Sequence, residues 1–318
     1  MSDIKFKPKN EFRKCAPNKI FDKKNDTCFN LDQVIKMVES YNNKQSNENN
    51  KIILNSNKLD KKILLDELTK KLDKTCNTQE CLLKEDFVVK IDDFDLKFNT
   101  LRPLGPNNKT KWLSSSDINQ IMIQYTIKYN NFIFFGALPI DFEDIELPID
   151  YTKINTYLSN MYKDNKYKIG FVFNLDNSTQ SGSHWVALYT DLKNKKIYFF
   201  DSYATQPKKQ IIKLMSKIAY WMCINNPYNK KISFEDYKIN FDNEGLTIKY
   251  KDFNIEIKYN THRHQFKHSE CGVYSVNFIL RLLKGDKFKK ITSEVTLDDD
   301  INKCRKTYFR FNVNDNDI

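Results

Sequence analysis

The sequence predicts an α+β fold preceded by a helical segment, and two changes in its texture carry that prediction. Residues 1–95 alternate amphipathic stretches with polar runs, the pattern of a small helical unit. From residue 96 onward, short apolar runs bounded by turn residues alternate with longer helical stretches. Helices fall at the flanks of this second segment, and several antiparallel-type strands lie in its middle. The expected domains are a mainly helical accessory arm over 1–95 and a larger α+β domain over 96–318.

Each element has a local cause. Over 31–41, Leu31, Val34, Ile35, Met37 and Val38 recur at helical spacing behind Asn30, a suitable N-cap. Residues 42–50 are almost wholly polar and predict a loop. A second helix is expected over 58–72, where Leu59, Ile63, Leu64, Leu68 and Leu72 form one stripe. In the second segment a serine run opens a helix over 112–125 that carries Ile118, Ile121, Met122 and Tyr125. Strands are expected over 131–138, 168–174, 184–190 and 196–200, the last two joined by the turn DLKNKK. Ile211, Leu214, Met215, Ile218 and Met222 predict a long helix over 206–226. Further strands are expected over 237–241, 246–250 and 253–259, and an apolar helix over 272–283 with Gly285 at its C-cap.

Composition bounds the function. The 318 residues include 23 Phe, 17 Tyr and 3 Trp, enough to build a core and to exclude wholesale disorder. With 7 Gly and 8 Pro, collagen-like and linker-dominated architectures are excluded as well. No apolar run approaches the roughly 18 residues of a membrane span, and the opening MSDIKFKPKNEF has charges where a signal peptide needs its apolar core. No membrane insertion is expected, and nothing in the sequence fixes an oligomeric state. The net charge is +11, but its lysine clusters, at 193 with 195–196, at 208–209, at 230–231 and at 287 with 289–290, are scattered and not interleaved with aromatics. They read as a solvated surface, with a nucleic-acid activator as the lesser alternative.

Seven cysteines, an odd count without a dense framework, suggest a reducing compartment. Cys15, Cys28, Cys76 and Cys81 could meet in one zinc site, but they lack paired short knuckles and are read instead as small buried hydrophobes. A metal reading of His262, His264, His268 and Cys271 is likewise set aside, because their spacing fits no standard ligand pattern. No metal or cofactor is expected.

The chemistry lies where three places combine. His184 opens a strand in GSHWVALY, and Asp201 ends the next strand in IYFFDSYA. On antiparallel neighbours joined by a short turn, the start of one strand lies beside the end of the other, so the carboxylate can orient the imidazole. Cys271 precedes the apolar helix in SECGVYSVNFILRLL, where a helix N-terminus favours thiolate. Ser269, Glu270 and Gly272 around it argue against a core position.

The order His184–Trp185, Asp201, Gln265 and Cys271–Gly272 resembles the ubiquitin-like-protein proteases and adenovirus-type cysteine peptidases. The six-residue step from Gln265 to Cys271 has the deSUMOylase-like spacing. The resemblance covers about the last 200 residues and implies a papain-like cysteine protease core: a central mixed sheet flanked by helices, with the nucleophile at a helix start. It implies that His184 is the general base, Asp201 its orienter, Cys271 the nucleophile and Gln265 an oxyanion donor. The KWLSSSDINQIM segment resembles the family's Trp-Leu motif. By that resemblance Trp112 and Trp185 pack on either side of a substrate's Gly-Gly. Two departures are visible: Glu270 stands for the usual Asp before the nucleophile, and Ser114–Ser116 lengthens the Trp motif.

The KCAPNKIF…TCFNLDQVIKMVESYN opening and the later CNTQEC are similar to thiol proteases of large cytoplasmic DNA viruses such as African swine fever virus. That resemblance implies a polyprotein substrate with Gly-Gly-X sites, cut in the host cytoplasm and the maturing virion. The alternatives are a deSUMOylating or deubiquitinating isopeptidase and a non-catalytic module that docks Gly-Gly tails.

Overall fold

The structure is a computed structural model and describes residues 14–19, 27–54, 59–72, 76, 78–106, 110–225 and 254–311. It divides into two compact units, one of residues 1–104 with 309–318 and the other of residues 105–308. The first unit thus runs past residue 95 and includes the described residues 309–311. The expected strands over 237–241 and 246–250 lie outside the described residues.

The first unit is built on α1 (Leu31–Asn43), α2 (Lys61–Lys71) and the short helices α3 (Gln79–Leu82), α4 (Asp86–Val89) and α5 (Phe94–Phe98). Asn30 caps α1 through a reciprocal box: its side chain accepts from the Gln33 N–H, and the Gln33 side chain accepts from the Asn30 N–H. Val34, Met37 and Val38 of α1 bury with Leu64 and Leu68 of α2 and with Phe87, Val88 and Leu96. The polar run after α1 holds one 3-10 turn, Glu48–Asn50.

The cysteines of this unit correct two expectations. Cys15 is bonded to Cys28, and Cys76 to Cys81, so the four sulfurs form two disulfides rather than a zinc site or a set of free apolar thiols. Glu85 lies close to the second pair, but both sulfurs there are committed to each other. With four of seven cysteines paired, the cysteine count no longer supports a reducing compartment. The odd total had concealed two local pairs, one bridging 13 positions and one bridging 5.

The second unit is organised by a five-stranded sheet in chain order: β1 (Phe132–Leu138), β2 (Lys168–Asn174), β3 (Trp185–Asp191), β4 (Lys196–Phe200) and β5 (Glu256–Tyr259). The outer pairs β1–β2 and β4–β5 are parallel, and the central β2–β3–β4 ladder is antiparallel, so the sheet is mixed. Its central strands are covered on both faces, which is why they read as continuous apolar runs rather than alternating ones. Phe171, Phe173, Val186, Leu188, Ile197 and Phe199 share one core with residues of α7 (Ile154–Lys163) and α8 (Lys209–Ile224). Helix α9 (Cys271–Leu283) lies on the other face, where Ile279 reaches Gly170 and Phe278 stacks on Phe200.

Helix α6 (Ser115–Lys128) packs beside β1. The serine run before it is a second capping box, with the Ser114 hydroxyl accepting from the Asp117 N–H and the Asp117 carboxylate from the Ser114 N–H. Gly285 follows α9 with φ +97°, the left-handed geometry that a C-terminal glycine supplies. Helix α7 was not expected, although Ile154, Leu158 and Met161 stand at helical spacing within its polar, tyrosine-rich stretch. The short helices α10 (Phe288–Ser293), α11 (Asp298–Lys303) and α12 (Arg305–Tyr308) were not expected either.

Candidate active site

The β3–β4 hairpin sets the first two members of the site. Ala187 pairs with Phe200 across the ladder, so His184, just before β3, and Asp201, just after β4, meet at the same end of the sheet. His184 Nε2 lies 2.6 Å from Asp201 Oδ1, with both side chains buried. Cys271 lies close enough to the ring to add to the rise in its pKa. Burial alone would lower the imidazole pKa. The hydrogen bond to Asp201, the nearby Cys271 sulfur and the negative charge of both groups outweigh it and raise the imidazole to about 9.

Two residues not expected from sequence fix this pair. Asn260, immediately after β5, accepts from the Asp201 N–H at 2.8 Å and donates to the Asp201 carbonyl at 2.7 Å, so one amide holds the backbone on both sides. Tyr203 stacks on the His184 ring at 4.5 Å between centroids and 10° between planes, and its N–H donates to Asp201 Oδ1 at 2.9 Å. The FDSY order put Tyr203 two residues from Asp201, a signal that could have been read. Asn260 lies 59 positions from Asp201 and gave none.

Cys271 is the first residue of α9 and is 1% exposed, against the expectation of an open position. Its polar neighbours are buried with it for definable reasons. Glu270 accepts from the Ser269 N–H and hydroxyl at 2.8 and 2.9 Å and from the Asn302 amide at 2.8 Å, so its carboxylate brackets the loop from inside. Gly272 is there for close approach: a Cβ would meet Leu113 Cβ at 3.1 Å and Trp185 Cδ1 at 3.3 Å. Gln265 is fully buried, its Oε1 accepting from Ser202 Oγ at 2.7 Å and its Nε2 donating to the Lys267 carbonyl at 2.8 Å. One amide hydrogen of Gln265 is thereby used and the other remains.

Both expected tryptophans line one cleft of about 470 Å³, with Leu138, Asn174, Asp176 and Gly182. Trp185 is buried, and its Nε1 donates to the Leu113 carbonyl at 2.8 Å, whereas Trp112 is 40% exposed at the mouth. His184, Asp201 and Cys271 do not line this cleft; Trp185 joins the two regions by packing against Gly272. Among the histidines set aside as metal ligands, His264 is buried with Nε2 facing the Thr292 carbonyl and Nδ1 accepting from the Thr296 N–H, each at 3.3 Å. Among the described residues no helix is long and apolar enough to cross a membrane.

Comparisons with known proteins identify the family and the fold. Residues 160–314 match the Ulp1 protease family, C-terminal catalytic domain. A protein of Acanthamoeba polyphaga mimivirus named as a thiol protease is 36% identical over 314 residues, covering 93% of each chain. An African swine fever virus protein named SUMO-1 cysteine protease is 26% identical over 217 residues, covering 65% of this chain and 70% of that one. The crystal structure of the African swine fever virus protease superposes with a TM-score of 0.60 at 19% identity, covering 94% of this chain and 96% of that one, which shows a shared fold. The chain belongs to the Ulp1 protease family of cysteine proteases.

Proposed function

We propose that the protein is a cysteine endopeptidase that cuts after Gly-Gly in structural polyproteins of a virus, acting in the host cytoplasm and the maturing virion. The observation that carries this reading is the buried Asp201–His184 contact with Cys271 near the ring, joined through Trp185 to a cleft lined by two tryptophans. In the proposed reaction the Cys271 sulfur attacks the carbonyl of the second glycine, forming an S–C bond and a tetrahedral oxyanion. The Cys271 N–H and the remaining Gln265 amide hydrogen donate to that oxyanion. Protonated His184 then gives its proton to the leaving amine as the C–N bond breaks. Neutral His184 next takes a proton from water, whose oxygen releases the thioester and regenerates the thiol. The indoles of Trp112 and Trp185 confine the chain before the scissile bond, where residues without side chains fit.

The test is cleavage of Gly-Gly-X peptides beside intact ubiquitin-like precursors, with Cys271→Ala as control. Peptide cutting that depends on Cys271 supports the reading, and replacing the glycine next to the cut by alanine should nearly abolish it. The name SUMO-1 cysteine protease carried by a relative favours a second reading, a deconjugating isopeptidase. Preference for the folded precursors over the peptides would select it. Loss of cutting on both substrates would leave a module that only docks Gly-Gly tails.

A further inference from the structure

The end of the sheet away from His184 and Asp201 holds a second concavity, of about 420 Å³, that the proposed reaction does not use. Its floor is the sheet. The strand register lines up Lys168, Asp191, Lys196 and Glu256 across β2 to β5, with Tyr189, Tyr198 and Lys258 in the next row across β3 to β5. The turn after α9 and the start of α10 form a wall that contributes Asp286, Lys287 and Lys289. Lysines from two clusters that looked separate in the sequence thus converge on one hollow.

Its charges are unevenly committed. Asp191 accepts from the backbone and side-chain nitrogens of Asn194 at 2.9 and 2.8 Å, and Glu256 from Tyr198 and Lys258 at 2.7 Å each. Asp286 accepts from Arg281 at 2.8 Å. All three carboxylates are therefore engaged within the protein. Of the five lysine side chains only that of Lys258 has such a partner among the described residues; the ammonium groups of Lys168, Lys196, Lys287 and Lys289 have no hydrogen bond or close ion pair there.

A second observation comes from Tyr189. It is 3% exposed, lines the hollow, and its hydroxyl has no hydrogen-bond partner among the described residues. The ring is buried while the hydroxyl opens on the hollow, free to bond what enters it. Burial, then the nearby Asp191 carboxylate, hold the phenol above its ordinary pKa, so it keeps a proton to donate. An O–H donor facing a hollow with four ammonium groups that have no hydrogen bond or close ion pair among the described residues is complementary to a compact anion with several charges. The volume falls within the range of small-ligand pockets, roughly 300–1,000 Å³, and the hollow is concave rather than a stripe that would track a duplex.

We propose that this hollow is a binding site for a phosphate-bearing small molecule, held by the Tyr189 hydroxyl and by Lys168, Lys196, Lys287 and Lys289. It lies about 20 Å along β3 from the catalytic pair, by the rise of a seven-residue strand, and is separate from the peptide cleft.

The test is calorimetric titration of the full chain with inorganic tripolyphosphate at low ionic strength. The variants are Lys168→Gln with Lys196→Gln, Tyr189→Phe alone, and the exposed control pair Lys208→Gln with Lys209→Gln. Far-ultraviolet circular dichroism melts verify that each variant folds. Saturable one-site binding is expected, weakened about tenfold or more by the pocket pair and about threefold or more by Tyr189→Phe, with the control pair unchanged. Absence of saturable binding, or an equal loss in the control pair, would overturn the proposal. Competition by duplex DNA that is tighter than tripolyphosphate and steeper in salt would overturn it in favour of a nucleic-acid surface.

Discussion

Asp201→Asn tests the electrostatics of the site most directly. The imidazole of His184 stands at about 9 because the Asp201 hydrogen bond and charge, with the Cys271 contact, overcome burial. Removing the charge of Asp201 while keeping an acceptor atom should bring the ring back toward its ordinary 6.5, a change worth about 3 kcal/mol of proton affinity. If the active form pairs a thiolate with the imidazolium, activity falls as pH rises through the His184 value. The wild-type alkaline limb should then lie near pH 9 and that of the variant near 6.5. At pH 8 about nine-tenths of wild-type imidazoles are protonated against about 3% in the variant, a loss of about thirtyfold from protonation alone.

The assay is kcat/KM on a Gly-Gly-X peptide from pH 5 to 10, both enzymes in one buffer series. A uniform loss with the alkaline limb still near 9 would refute the electrostatic account and leave Asp201 only an orienting role. Stability carries the same sign. A histidine whose value rises on folding contributes fully below 6.5 and loses that contribution as pH climbs through 9. The stability gap between wild type and variant should therefore narrow across that window in denaturant titrations.

Iodoacetamide at neutral pH should label Cys271 before the other free thiols, because burial pushes Cys223 up to about 11 and also raises Cys304; peptide mapping that finds Cys223 or Cys304 first would contradict this. Gly272→Ala forces a methyl against Leu113 and Trp185 and should cost about 1–3 kcal/mol in denaturant melts, with a fall in kcat from a displaced helix start. Reduction of Cys15–Cys28, which closes a loop of 13 positions, should destabilise the unit that carries it by about 3 kcal/mol, read as a lower midpoint in hydrogen-exchange or thermal unfolding with dithiothreitol. An unchanged midpoint in fully reduced protein would mean that the bridge adds nothing to that unit.

The described strands and the meeting of His184 with Asp201 were legible in the sequence because their signals are local. A histidine opening one apolar run and an aspartate closing the next fix their own meeting once the turn between them is short, and the helix starting at Cys271 declares itself by its apolar length. Burial of Cys271 was not legible, because it depends on Glu270 finding Ser269 and Asn302 as partners and on Gly272 meeting Leu113 and Trp185 from distant segments. The disulfides were missed for a related reason: spacing along the chain does not report the approach of two Cα atoms. Helix α7 was overlooked although its Ile154 and Leu158 are wholly buried, because only those few apolar positions stand out from a polar background.

The β3–β4 hairpin has a kinetic consequence. His184 and Asp201 are 17 positions apart, a contact that a hairpin reaches on the order of microseconds. Cys271 lies 70 positions beyond Asp201. Closing that longer loop costs about 1.3 kcal/mol more in chain entropy than closing the hairpin. The His184 ring and the Asp201 carboxylate therefore come together early, and the Cys271 sulfur arrives only with the slower long-range docking of α9. A nascent or partly unfolded chain would hold the His184–Asp201 pair before Cys271 joins it, so a reaction that needs all three groups would wait for the docking of α9.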